Sequence, residues 1–413
     1  VDAFRAYRFR LYPSRAQAER LAETFRLCAE LYNAALEQRR FSNRYGSSVT
    51  YQMQQDELPK LRAEIPEFKR IHSQVMQDVL RRLDRAFANY YARVETRKTG
   101  KRIKAGYPRF KSASGYSSIT YPQAGNGWKD LVNGHFWLSK LGNVRAFRHR
   151  PMKGTAKTLT VKRDRVGDWF VVIVCKINAA EPPSHQNGKT ALGVDLGLTK
   201  LVAISSGEFV EAPKFYRIAE RRLQNLQRVQ ERKQYGSSNR GKAKLHLAKA
   251  HRKVERKRDD FLHKLSSAIV SRADVIVFED LKTAALVKNH NLAKSILDAS
   301  WGKLLRYTSY KASSAGKAVE WVPPGGTSVN CSRCGTAVAK PLSERVHRCP
   351  KCGLVLDRDL NAAVNIRSKV GGSTAESKPV EMRPLLLTKQ VSSVRQEARG
   401  YPWEDVTLWT LVS

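Results

Sequence analysis

Polar and apolar positions change period several times along the chain, and each change predicts a different element. Phe4, Tyr7, Phe9 and Leu11 alternate loosely and predict a first strand, which Pro13 stops. Ser14 with Gln17 forms a capping box, and Leu21, Phe25, Cys28, Tyr32 and Ala35 follow at helical spacing. A second helical run covers about Ile71 to Arg97. Leu80, Leu83, Phe87 and Val94 make its apolar face, and Gln74, Gln77, Arg81, Arg82 and Arg85 its polar one. From about Ser117 to Ile177 the texture shortens to strands and turns. Thr158–Lys162 and Trp169–Cys175 flank a turn at Asp164–Gly167 and predict a hairpin. With the first strand, this segment is expected to close a small β-barrel into which the helices between Ser14 and Arg97 are inserted. Cys28 and Cys175 lie on apolar stripes and read as core.

The second half has another rhythm. Glu181–Gly188 (EPPSHQNG) reads as a linker. Tyr216–Lys264 is long and helical in period, broken near Tyr235–Gly241, and predicts two antiparallel helices. Between Arg217 and Arg258, 15 of 42 residues are Lys or Arg and 3 are Glu, so this hairpin should present a basic face. Val275–Phe278 is an apolar strand. The chain from about Gly371 is weakly patterned and expected to be disordered.

Charge sharpens the reading. The 413 residues carry 75 Lys+Arg against 37 Asp+Glu, a formal net charge of +38, which suits a polyphosphate partner. Lys98–Lys111 (KTGKRIKAGYPRFK) interleaves cations with aromatics, a pattern suited to nucleic acid. No run of about 18 apolar residues exists, so no membrane span is expected. The opening VDAFRAYRFRLYP has no signal-peptide core, so a cytoplasmic location is expected.

Against this basic background a few acids stand out. Ala191–Lys200 (ALGVDLGLTK) sets Asp195 inside an apolar run, Asp274–Leu281 (DVIVFEDL) delivers Glu279 at the end of a strand, and Asp357–Ile366 (DRDLNAAVNI) opens a helix with two aspartates. Carboxylates gathered from three separated segments repel one another unless divalent cations sit among them. Such a cluster can hold two Mg²⁺ about 4 Å apart for in-line phosphoryl displacement. Cys331-Ser-Arg-Cys334 and Cys349-Pro-Lys-Cys352 are two CxxC knuckles with 14 residues between them, each followed by Gly. Four thiolates at this spacing predict one structural, tetrahedral Zn²⁺ in a zinc ribbon.

In order, GVDLG, a basic helical hairpin, VFEDL, CSRCG, CPKCG and DRDLNAAVNI resemble the TnpB family, insertion-sequence RNA-guided endonucleases related to compact type V CRISPR effectors. The likeness is specific from about Leu192 to Arg367 and softer before it. It implies a multidomain α+β and α/β protein. Residues 1–13 and 115–185 would form a wedge β-barrel, and 14–114 a helical recognition insertion. Residues 189–325 and 356–370 would form a RuvC-like, RNase H-type nuclease interrupted by a zinc ribbon at 326–355, with 371–413 as a tail. The resemblance assigns Asp195, Glu279 and Asp359 as catalytic, Mg²⁺-binding acids, with Asp357 and Asn361 in support. It implies a guide RNA from the element's end, double-stranded target DNA beside a short adjacent motif, one protein per RNA, and action in the prokaryotic cytoplasm at the nucleoid. Tyr51, Ser73, Gln77 and Thr120 are the positions matching the motif-reading residues. No HUH motif with a nucleophilic Tyr is visible, so strand transfer is not expected. Two other readings remain open: an unguided, structure-selective nuclease using the same acids, and a non-catalytic zinc-ribbon nucleic-acid binder.

Overall fold

The computed structural model describes residues 2–100, 102–131, 133–178, 190–341, 343–371 and 382–385. They fall into two compact units, 2–178 and 190–385, and the fold is mixed α/β. The EPPSHQNG linker lies outside the described residues.

The N-terminal unit begins with β1 (Asp2–Tyr12), then α1 (Arg15–Arg44), the short helices α2 (Tyr51–Asp56) and α3 (Leu58–Glu64), and α4 (Ser73–Lys98). Strands β2 (Ser118–Tyr121), β3 (Trp128–Leu131), β4 (His135–Leu138), β5 (Gly142–Phe147), β6 (Thr155–Arg163) and β7 (Trp169–Asn178) follow. Ser14 and Gln17 make both capping-box bonds, so α1 starts where the sequence expects. The hairpin forms because the Asp164 carboxylate accepts from the amides of Val166 and Asp168, closing the turn between β6 and β7. All seven strands are antiparallel, in the order β2-β6-β7-β1-β5-β4-β3. The expected closed barrel is instead a curled sheet with two edges. Both edge strands, β2 and β3, are only four residues long, and among the described residues no ladder joins them. The Tyr121 hydroxyl of β2 donates to the carbonyl of Ser139, just after β4, at 3.2 Å.

Helices α1 and α4 pack on this sheet around one core that includes Phe9, Leu21, Phe25, Leu83, Phe136 and Val171. Cys28 and Cys175 are fully buried in it, and burial pushes the Cys28 thiol up to about 12. The sequence pattern missed α2 and α3. Buried Arg39 of α1 ties α2 to α4, donating from Nε to Gln54 of α2 (2.9 Å) and from Nη1 to Asp84 of α4 (3.0 Å), while α3 buries Leu58 in the same core.

The C-terminal unit contains β8 (Ala191–Leu196), β9 (Lys200–Ile204), β10 (Glu208–Glu211), α5 (Phe215–Glu231), α6 (Ser238–Val270) and β11 (Val275–Glu279). After them come α7 (Thr283–Leu286), α8 (His290–Ala299), α9 (Trp301–Ser314), β12 (Ala318–Val322), β13 (Val346–Arg348), β14 (Val355–Asp357), α10 (Arg358–Gly371) and β15 (Arg383–Pro384). Six strands form one sheet, β12-β11-β8-β9-β10-β15. Strand β9 runs antiparallel to both its neighbours, β8 and β10, while β11 and β12 run parallel to β8. Within the region expected to be a disordered tail, residues 382–385 are placed, with Arg383–Pro384 pairing in parallel with β10. The other residues from 372 lie outside the described set.

The broken basic run is the predicted pair of helices, α5 and α6. Leu223 is the one buried residue on α5, so its cations face solvent. Asp298 of α8 anchors the pair. It accepts from the Tyr216 and Arg217 amides at the start of α5 and from Arg258 Nη2 of α6.

Candidate active site and cysteine cluster

Parallel pairing sets Asp195 beside Glu279. The register runs from Val275↔Ala191 to Phe278↔Val194, and its next step brings Glu279 and Asp195 together at the carboxyl ends of β11 and β8. Residues in register project from the same face, and the carboxyl ends of parallel strands are where open α/β sheets place ligands. The third acid arrives on α10, which packs across β8 at Gly193. A Cβ on Gly193 would stand 2.1 Å from the Ala363 carbonyl oxygen, so the residue must be glycine for the helix to lie there. Asp359 sits in the first turn of that helix.

Asp195 feels the other two acids. The carboxyl group of Asp195 is enclosed although the residue keeps some exposed surface. Burial first, and then the charges of Glu279 and Asp359, push it up to about 8. Glu279 is 9% exposed; burial raises it, while a hydrogen bond from the Thr327 hydroxyl and the nearby Lys369 charge oppose the rise. Asp359 is raised by burial and by Asp357, against the charges of Lys200, Arg345 and Arg358. Acids raised above their ordinary range in one place suit added positive charge. The oxygen-only donor set fits a hard divalent cation such as Mg²⁺.

The supporting residues take separate tasks. Asp357 Oδ1 accepts from the amides of Asp359 (2.9 Å) and Leu360 (3.3 Å), capping α10. Asn361, named for support at the acids, faces elsewhere. It is fully buried, accepts from the Ser332 amide at 2.9 Å and donates to the Asn330 carbonyl at 2.8 Å. It therefore ties α10 to the first cysteine knuckle. The sequence reading missed Lys200, which lies 2.5 Å from Asp357; Thr327 on Glu279; Asn365, which donates to the Thr327 and Asn330 carbonyls; and Trp301, whose indole N–H holds the Gly197 carbonyl. None of these carries a periodic signal: Thr327 lies in a loop, Lys200 and Trp301 open β9 and α9, and Asn365 sits within α10.

The Sγ atoms of Cys331, Cys334, Cys349 and Cys352 lie within 4.8 Å of one another, with Cys331–Cys352 at 3.6 Å and Cys334–Cys349 at 3.5 Å. Tetrahedral Zn–S bonds of about 2.3 Å would set sulfurs about 3.8 Å apart, so the four fit one Zn²⁺. Contacts of the Cys334 sulfur with the Thr336 hydroxyl, at 3.3 Å, and with the Thr336 backbone lower the thiol to about 6. His347, two residues before Cys349, is committed to Lys340, whose Nζ is 2.6 Å from its Nδ1.

The four motif-reading candidates belong to the N-terminal unit. Tyr51 opens α2, and its hydroxyl accepts from Arg81 Nη2 at 3.4 Å. Ser73 and Gln77 are half-buried on the first turns of α4. Thr120, on β2, is already engaged: Arg82 Nη2 donates to its hydroxyl at 2.7 Å, and the Thr160 hydroxyl is 3.0 Å away.

A relative from Streptomyces pristinaespiralis, named as an RNA-guided DNA endonuclease, is 35% identical over 95% of this chain and 96% of its own length. The chain belongs to the TnpB/IS605 OrfB family. A second relative, InsQ of Escherichia coli K12, named in the same way, is 30% identical over 89% of this chain and 92% of its own. A TnpB-like protein of Methanocaldococcus jannaschii is 33% identical over 35% of this chain and 55% of its own. Family profiles match residues 173–290 (OrfB of the IS605 type, described as a probable transposase), 301–366 (Cas12f1-like, TNB domain) and 4–43 (helix-turn-helix domain). In this family member, residues 4–43 are strand β1 and the single helix α1. Among solved structures, a Cas12f1–sgRNA–target DNA complex shares the fold, with a TM-score of 0.54 and 14% identity, over 86% of this chain and 83% of that one.

Proposed function

We propose that the protein is an RNA-guided DNA endonuclease of an insertion sequence, cutting DNA beside a short adjacent motif. The observation that carries this is the convergence of Asp195, Glu279 and Asp359 from β8, β11 and α10, in a family whose full-length relatives bear that name. The sheet order, three antiparallel strands followed by two parallel to the first, fits a RuvC-like, RNase H-type nuclease.

Asp195, Glu279 and Asp359 would hold two Mg²⁺, and Cys331, Cys334, Cys349 and Cys352 one structural Zn²⁺. Bound Mg²⁺ supplies charge neutralisation at the phosphate and activation of water for in-line displacement. The protein contributes the aim. Thr327 orients Glu279, Asp357 fixes the start of the helix carrying Asp359, and Asn361 braces that helix against the cysteine loop. The cations of α5 and α6 take backbone phosphates of guide RNA and target DNA, reading shape rather than sequence. The N-terminal unit is the wedge and recognition module, with Tyr51, Ser73, Gln77 and Thr120 as its motif-reading positions. The Gln77 amide suits adenine N6/N7 in the major groove. One protein per RNA acts on cellular DNA at the nucleoid.

The test is to express the gene with its native flanking DNA, purify the protein and sequence the RNA that stays bound. A discrete RNA from the element's edge, directing cleavage of a matching duplex, is expected. Cleavage of branched DNA by RNA-free protein would replace the guided reading with a structure-selective nuclease. Salt-sensitive DNA binding with no cleavage in any divalent metal would make it a zinc-ribbon binder.

A further inference from the structure

Lys200 closes the stretch ALGVDLGLTK, and its place beside the acids is set by the turn after Asp195. Gly197 donates its amide to the Leu201 carbonyl at 3.2 Å, and a Cβ on Gly197 would stand 2.5 Å from the Lys200 carbonyl oxygen. The turn therefore accepts glycine alone and delivers Lys200 to the start of β9. The side chain is 21% exposed, with Nζ 5.5 Å from the Phe209 ring centroid.

Its ammonium divides its attention unequally between two neighbouring carboxylates. Nζ is 2.5 Å from Asp357 Oδ2 but 3.9 Å from Asp359 Oδ2. The first is a charge-assisted hydrogen bond; the second is too long for one. Asp357 thereby accepts three hydrogen bonds, one oxygen from Lys200 and the other from the amides of Asp359 and Leu360. Asp359 is less engaged: among the described residues its nearest cations, Lys200 and Arg345, stand off at 3.9 and 3.7 Å.

We infer that Lys200 is a positioning residue for Asp359. Anchored on Asp357, it pins the first turn of α10 to the β8–β9 turn and supplies positive charge beside Asp359 without consuming the oxygens that a divalent cation would need. The inference rests on the nuclease reading for its consequence in catalysis, but the geometry it describes can be measured without cleavage.

The experiment compares the guide-loaded parent with Lys200→Met, Lys200→Arg and Asp357→Asn. Three quantities are read: Mn²⁺ binding by calorimetry without target, hydrogen exchange of the metal-free peptide spanning 357–366, and single-turnover cleavage with matched DNA. In Lys200→Met the peptide is expected to exchange faster and Mn²⁺ to bind several-fold more weakly. Cleavage should slow at least tenfold with target affinity unchanged. Asp357→Asn should behave alike, and Lys200→Arg should recover most of each loss. Parent-like exchange and Mn²⁺ affinity in Lys200→Met would overturn the inference. So would equal losses in Met and Arg variants, which would mean general misfolding. If the parent itself cuts no guided target, the nuclease reading fails, while the exchange and Mn²⁺ data still decide the role of Lys200.

Discussion

Gly193 and Ala363 meet so closely that a single methyl group on Gly193 would stand 2.1 Å from the Ala363 carbonyl oxygen and 2.7 Å from the Arg367 amide. The clash is with helix backbone on one side and a strand on the other, so neither neighbour can rotate away. Gly193→Ala should therefore cost the 1–3 kcal/mol or more (about) that overpacking costs elsewhere, and should shift α10 relative to β8. Thermal unfolding followed by circular dichroism should show a lower midpoint, and guided cleavage should fall with it. An unshifted midpoint would mean that α10 is not seated on β8 as tightly as the geometry requires.

The pH dependence of the metal-free fold follows from Asp195. An acid whose folded value lies above its unfolded one keeps its proton in the folded state after the unfolded chain has lost it. Its contribution is intact below the unfolded value of about 4 and is lost as pH rises toward the folded value of about 8. Glu279 and Asp359, also raised, add to the same slope. In chelator, the unfolding midpoint should fall as pH rises through this window. Asp195→Asn should flatten the fall, and added Mg²⁺ should restore stability most strongly at the alkaline end. A midpoint that is flat with pH in chelator would contradict the raised acids.

Asp195→Ala, Glu279→Ala and Asp359→Ala should each reduce cleavage by ~10³-fold or more, since cation-assisted stabilisation of a phosphoryl transition state is worth several kcal/mol. Target binding should survive, because the basic helices are untouched. Gel shifts beside single-turnover assays read both. Parent-like cleavage in all three variants would sink the nuclease assignment.

Zinc removal should act on the acids indirectly. Asn361 couples α10 to the loop carrying Cys331, so Cys349→Ser should lose bound zinc, lower stability and slow cleavage together. Asn361→Ala should retain zinc yet lose about 1–3 kcal/mol for two buried hydrogen bonds. Elemental analysis beside denaturant unfolding separates the two.

Thr120 and Gln77 should part company. Thr120→Val removes the hydroxyl that accepts from Arg82 and should destabilise the protein by about 1–2 kcal/mol. Gln77→Ala should leave stability unchanged and alter cleavage only when the adjacent motif is varied. A motif-library cleavage assay beside urea unfolding distinguishes the roles; equal effects of both substitutions on stability would remove Gln77 from the reading set.

Sequence alone determined what is local or covalently spaced. The capping box at Ser14, the Asp164 turn, the break between α5 and α6 and the paired knuckles were legible because each depends on residues within a few positions of one another. Glu279 was legible at the end of an apolar strand. The short helices α2 and α3 were not, because α2 is held by buried Arg39 and α3 by packing of Leu58, rather than by periodicity of their own. Closure of the N-terminal sheet was misjudged because alternation marks strands but not whether edge strands are long enough to pair. Tertiary structure decided the rest of the site. The parallel register of β8 and β11 puts Asp195 beside Glu279, and Gly193 lets α10 carry Asp359 to them. Chain separation hides these meetings: Lys200 and Asp357, 157 positions apart, make their 2.5 Å contact only when a glycine turn and a helix start are folded against each other.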